Sequence, residues 1–192
     1  MDRNDFHPAA DEVVRIVTAA DVDTLEAPTP CVNFDVGELV NHFVGTMGAL
    51  ARVGERQALD PEDPYGARQN PSREDWRRIL ADNIEAVRHA WSKPAAWEGT
   101  VTMGGQQMPA PMIAEMALAE MLLHGWDLAR ATGQQLDVPD RVAGGLRRSV
   151  EETAELGRTM GAYGDAVPVS AAAGELDRAL GASGRDPRWR AD

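Results

Sequence analysis

Apolar positions recur at helical spacing through most of the chain. A first run, residues 8–20, supplies Val13, Val14, Ile16 and Val17 as its buried surface. Ala27-Pro28-Thr29-Pro30-Cys31 cannot continue it, because two prolines remove backbone donors and fix φ. A second helix is predicted from Asp35, with Glu38 three residues on in a capping-box pattern and a stripe of Val36, Leu39, Val40, Phe43, Met47 and Leu50. Residues 60–71, interrupted by Pro61, Pro64, Gly66 and Pro71, are long enough to cross a bundle end instead of making a tight turn. Ser72 with Asp75 reads as the cap of a third helix carrying Trp76, Ile79, Leu80, Ile84, Val87 and Trp91.

The period then changes. Thr100-Val101-Thr102, ahead of Gly104-Gly105, predicts a small β-hairpin. A fourth helix is expected over 111–132, stopping at Gly133, and a fifth over 139–160. Gly144-Gly145 weakens the start of the fifth by about 1 kcal/mol per glycine relative to alanine. The remaining residues are rich in Gly, Ala and Pro, with a short helix expected over 175–180 and Trp189 as an anchor. The pattern predicts an all-α fold, an antiparallel four-helix bundle with a small hairpin and a C-terminal extension. No internal repeat or second-domain boundary is visible, so residues 1–192 are expected to form one domain, the tail 163–192 packing on the bundle.

Composition narrows the partners. With 31 acidic against 19 basic residues, the net charge of −12 argues against nucleic acid, whose phosphates need a basic face. It suits a cation or a neutral or cationic small molecule, although many soluble proteins are simply acidic. A single cysteine, Cys31, excludes an internal disulfide and fits a reducing cytoplasm. The polar stretch Met1–His7 carries no signal-peptide pattern, and Glu115, Glu120 and His124 interrupt the longest apolar run, so no membrane span is expected.

Those interruptions are the informative residues. At about 100° per residue, Glu120, His124 and Asp127 fall within about 60° of one another, on the stripe shared by Ile113, Met116, Leu123 and Ala131. Burying three ionisable groups without partners costs several kcal/mol, so each needs one. A divalent metal is the simplest partner, since Glu and His four residues apart bind one ion from one helix face. Of the four histidines, His7 lies in a terminus expected to fray, His89 follows Arg88, and His42 sits at the edge of the second helix's stripe. The candidate set is therefore His42, Glu120 and His124, with Asp127 orienting a histidine ring. Two histidines and one carboxylate suit Zn²⁺, Fe²⁺, Ni²⁺ or Mn²⁺ and leave positions open for water or substrate. Other pairings stay open: an interfacial hydrogen bond for His42, an arginine for Glu120, and Arg130 for Asp127.

The runs Ala27-Pro28-Thr29-Pro30-Cys31, Glu38-Leu39-Val40-Asn41-His42-Phe43-Val44-Gly45 and Glu120 through Gly133, with His124-Gly125-Trp126-Asp127-Leu128-Ala129, resemble a bacterial DinB-like metal-binding family. Its relative is the N-terminal domain of mycothiol-dependent maleylpyruvate isomerase. Val167-Pro168-Val169, Asp177-Arg178-Ala179-Leu180 and Gly184 through Trp189 resemble that family's C-terminal signature. The resemblance implies a crossover connection in the bundle, a divalent metal usually taken as zinc, and His42, Glu120 and His124 as its ligands. The isomerase has a further C-terminal domain that contributes to its active site. This chain ends too early to hold it, so isomerase activity itself is not carried over.

The leading expectation is a metal-dependent S-transferase or isomerase-like enzyme acting with a low-molecular-weight thiol, mycothiol, on an electrophile the residues do not identify. The metal would lower the thiol's pKa at an open position. Two alternatives stand beside it: a non-catalytic metal-binding accessory protein, and a metal-free helical interaction protein. Cys31 ranks low as a nucleophile, since free cysteine is usually a small buried hydrophobe. Trp91 and Trp126 are expected in the core or a cleft wall, and Arg185 and Trp189 are expected to pin the tail or border the cleft. The oligomeric state stays open between monomer and homodimer.

Overall fold

A computed structural model describes residues 1–21, 25–63 and 75–191. Among the described residues six α-helices and one hairpin form in the order α1 (Phe6–Ala19), α2 (Val36–Gly54), α3 (Trp76–Trp91), β1 (Thr100–Met103), β2 (Gln106–Pro109), α4 (Ala110–Ala131), α5 (Asp140–Thr159) and α6 (Glu175–Ala182). Periodicity located both ends of α1, α4, α5 and α6 to within two residues, and α3 starts three residues later than a Ser72 cap would set it. The α2 cap is the predicted box, Asp35 accepting from Glu38 N at 2.8 Å and Glu38 accepting from Asp35 N at 3.0 Å. For α3 the cap position is Asp75, which pairs with Arg78 (3.2 Å); Ser72 lies outside the described residues. The hairpin pairs Thr100 with Pro109 and Met103 with Gln106, across Gly104 and Gly105.

Helices α1–α4 make the bundle. Helix α1 packs on α3 and α4, and α2 packs on the same two from the other side. Contacts fix the directions. Arg77 Nε donates to Ala20 O (2.8 Å) and Arg88 reaches Asp11 (3.3 Å), so α1 and α3 are antiparallel. Asn83 Nδ2 donates to Val44 O (3.0 Å) and Trp91 Nε1 to Leu50 O (2.9 Å), so α2 and α3 run the same way. That parallel pair is the crossover: α3 starts at the end of the bundle where α2 starts.

Helix α4 carries apolar residues on more than one face, and the structure uses them all. Leu118, Met121, Leu122 and Leu128 are fully buried, as α4 lies between α1, α2 and α5. The α1 contact is close because position 125 is glycine; a Cβ there would lie 2.7 Å from Val13 Cγ2. Helix α5 lies on α4 and carries α6. The N-terminus is anchored, contrary to a frayed reading of residues near His7. An Asp2–Asp5 capping box precedes α1, the Met1 ammonium sits 3.3 Å from Glu115, and Phe6 is buried. Among the described residues no helix is long and apolar enough to cross a membrane.

Candidate metal centre

Two turns into α2 and two turns before the end of α4, three side chains converge. His42 Nε2 and His124 Nε2 each lie 3.4 Å from the same oxygen, Glu120 Oε2. The three donor atoms are all within 4.8 Å of one another. An ion with tetrahedral bonds of roughly 2.0–2.1 Å separates its ligand atoms by roughly 3.3 Å. The His–Glu spacings match that, so the donor set fits a divalent cation in type and separation. The imidazoles of His42 and His124 meet edge to face, 4.8 Å between centroids.

Packing holds the rings in place. Phe34 stacks on His42 at 5.0 Å and 28°, and Phe43 lies against His124 at 5.9 Å. Phe34 is delivered by the Pro-Thr-Pro turn, where Thr29 Oγ1 lies 2.8 Å from Phe34 O and 3.0 Å from Cys31 O. The turn closes as Val36 N donates to Ala27 O (3.0 Å), so the prolines that stop one helix also aim the next.

Behind His124 stands a fully buried carboxylate. Asp127 Oδ2 is 3.0 Å from His124 Nδ1, which directs Nε2 toward Glu120 and His42. Asp127 is held in turn by Arg185, whose Nε donates to Oδ1 (2.8 Å) and Nη2 to Oδ2 (2.7 Å). The two-pronged geometry neutralises both charges and satisfies both oxygens. The alternative partner, Arg130, is engaged elsewhere: its guanidinium caps Trp189 O and lies over the Trp126 ring at 6.0 Å. Asp127 faces inward, so a cation on the outer face of α4 does not reach it.

Arg185 gets there through a tight turn. Gly184 has φ +89°, and a Cβ on it would fall 2.6 Å from Gly164 Cα, where the two arms of the tail pair through Gly164 N→Ser183 O (3.2 Å) and Val167 N→Gly181 O (2.9 Å). This turn sets the Arg185 guanidinium against Asp127, behind the centre. Nothing in the helical period marks Arg185 as a buried group; an arginine set in a Gly- and Ala-rich stretch is the one sequence signal it leaves. Phe34 leaves none.

The charges respond accordingly. Burial alone would raise the Glu120 carboxyl, but hydrogen bonds to His124 and then His42 outweigh it and hold the group well below the usual carboxylate range. Burial disfavours a charged His124, yet the bonds to Asp127 and Glu120 raise it to about 9. Asp127 is likewise lowered: desolvation opposes ionisation, and the Arg185 charge overcomes it. The Cys31 thiol, near His124 and Asp127, is pushed up by burial and then by the Asp127 charge, which disfavours the nucleophilic thiolate.

The other expected residues fall into place by burial. Trp91 is wholly buried and Trp126 nearly so, His7 is on the exposed face of α1, and His89 is exposed, 4.0 Å from Glu55. A recess of about 540 Å³ lies at the opposite end of the bundle between α2 and the hairpin. Its titratable lining is Arg56 and Asp60, and Arg56 is already bonded to the carbonyls of Ala95, Glu98 and Thr100. Size does not mark the site here; converging donors do.

Residues 6–129 match the family described as the mycothiol maleylpyruvate isomerase N-terminal domain. Two uncharacterized proteins from two strains of Mycobacterium tuberculosis are each 29% identical over 136 residues, which is 70% of this chain and 69% of theirs. The crystal structure of mycothiol-dependent maleylpyruvate isomerase superposes with a TM-score of 0.58 at 17% identity, covering 81% of this chain and 70% of that one. A histidine-to-alanine mutant of that enzyme gives the same score and coverage at 16% identity. At these identities the structural likeness speaks for the fold.

Proposed function

The chain belongs to the mycothiol maleylpyruvate isomerase N-terminal domain family, and from that premise we propose that it is a divalent-cation-dependent enzyme acting with a low-molecular-weight thiol of the mycothiol type on an electrophile. The observation that carries the reading is the pair of 3.4 Å spacings from two imidazole nitrogens to one carboxylate oxygen, contributed by two different helices. In this reading His42, Glu120 and His124 hold the ion, which we take to be Zn²⁺, with Ni²⁺, Fe²⁺ or Mn²⁺ as alternatives that the same donors accept. The ion supplies a Lewis-acidic position that lets a thiol lose its proton near neutral pH.

The protein's own groups do the rest. His124 presents Nε2 because its Nδ1 is occupied by Asp127. Arg185 keeps Asp127 ionised in a place where a lone carboxylate would take up a proton. Phe34 and Phe43 cover the rings and thin the water around them, strengthening every charge interaction inside. His42, Glu120 and His124 would supply three donors, and a four-coordinate ion held by them would keep one position for an outside ligand, as catalytic sites do.

Metal content of the wild type, measured beside His42→Ala and His124→Ala, tests the ligand set. About one equivalent in the wild type and a large loss in both variants is the expected result. A cobalt-substituted wild type should then change its visible spectrum when titrated with mycothiol. Stoichiometric metal in either variant would overturn the ligand assignment, and an inert cobalt spectrum would overturn the role of the thiol.

A further inference from the structure

Between α4 and α5 lies a cavity of about 170 Å³ that reaches Glu120. Ile113, Met116 and Ala119 form the α4 wall, and Leu156, Met160 and Tyr163 face them. The α4 wall falls within the matched family segment, residues 6–129, and the opposite wall lies beyond it. Two of the facing residues are unusually open for their type: Leu156 is 50% exposed and Met160 73%. Large apolar side chains left open around the mouth of a cavity mark a binding site more often than chance exposure does.

The lining also states a charge preference. Among the described residues no lysine, arginine or histidine borders the cavity; its ionisable groups are Tyr163 and the two carboxylates Glu115 and Glu120. Glu115 faces the Met1 ammonium and Glu120 faces the two histidines, so neither offers a partner to an anion. An anionic ligand would be desolvated beside two carboxylates without compensation, whereas a neutral one loses little. Polar lining on the α5 side is limited to hydroxyls, those of Thr153 and Tyr163 lying 3.5 Å apart with Ser149 one turn away. The volume is close to that of an apolar cavity of about 150 Å³ that takes up benzene.

We propose that this cavity is the subsite for the non-reacting part of the electrophile: an uncharged, apolar group about the size of a benzene ring, seated between α4 and α5 beside Glu120. The assignment to the electrophile rests on the thiol reading above; the preference for a neutral apolar group rests on the lining alone. The methionines suit a site that must adapt to more than one such shape, being unbranched and polarizable.

Acetophenone and benzoate, equal in size and different in charge, separate the two claims. Saturation-transfer NMR on the full chain in its metal-free form, where no ion can capture the carboxylate, should show acetophenone binding at least tenfold tighter than benzoate. Thr153→Leu, which fills the cavity, and Leu156→Asp, which charges its mouth, should each weaken acetophenone at least tenfold. Leu156 is half exposed, so Leu156→Asp keeps the test sound should Thr153→Leu fail to fold. Equal or tighter binding of benzoate, or acetophenone binding unchanged by Leu156→Asp, would overturn the subsite. Acetophenone binding as expected beside an inert cobalt spectrum would overturn the thiol reading alone and leave the apolar subsite standing.

Discussion

His124 is held by carboxylates on both sides, Glu120 at Nε2 and Asp127 at Nδ1, and in the metal-free protein these keep its imidazole protonated up to about pH 9. A bound cation would need the same Nε2 lone pair, so proton and metal compete for one atom. The raised pKa means that the folded state holds this proton more tightly than the unfolded chain does. Its contribution is fully present below the ordinary histidine value near 6.5 and is lost as pH rises through about 9. The metal-free protein should therefore melt at a lower temperature at pH 9.5 than at pH 6.5, by an amount corresponding to a few kcal/mol at most. Scanning calorimetry of wild type and His124→Gln would measure this, and the variant should flatten the dependence. Metal affinity should move the opposite way, rising with pH over the same interval.

At the level of elements, the bundle depends on a few close approaches, and the α1–α4 seam at Gly125 is one that adjoins the site. Gly125→Ala would bring a methyl group to 2.7 Å from Val13 Cγ2. Overpacking of that kind costs about 1–3 kcal/mol, so the denaturant midpoint should fall while the m-value stays the same. The helices themselves were legible because Val36, Leu39, Val40 and Phe43, or Leu80, Ile84 and Val87, repeat at a spacing that only a helix serves. The donor triad was legible for the converse reason: Glu120 and His124 violate that repeat within α4, and His42 stands at the margin of the α2 stripe. What periodicity does not encode is how elements face one another. The crossover between α2 and α3 was foreshadowed only by the length of residues 60–71 and by the family resemblance; the Phe34–His42 stack runs from a loop to a helix and the Arg185–Asp127 pair from the tail to α4, and no helical period relates either. Asp127 shows the limit well. From sequence Arg130 stands three residues away, yet the partner is 58 residues on.

Across the whole molecule, the tail and the bundle share one buried ion pair, and each depends on the other. Removing one member of such a pair leaves a desolvated charge and costs about 3–5 kcal/mol. Arg185→Met should lower stability by that order in chemical denaturation. It should also speed proteolysis in residues 163–183, because the tail loses the contact that ties it to α4. Arg185→Lys should recover little, since a single ammonium cannot bond both Asp127 oxygens in the forked geometry.

The sequence distance between those two partners has a consequence in time. At a synthesis rate of about 5–20 residues per second, the 58 residues from Asp127 to Arg185 take on the order of 3–12 s to make. Throughout that interval a nascent α4 carries its Asp127 carboxylate without the guanidinium that holds it in the folded protein, so burial of this stretch of α4 should follow emergence of the Arg185 segment.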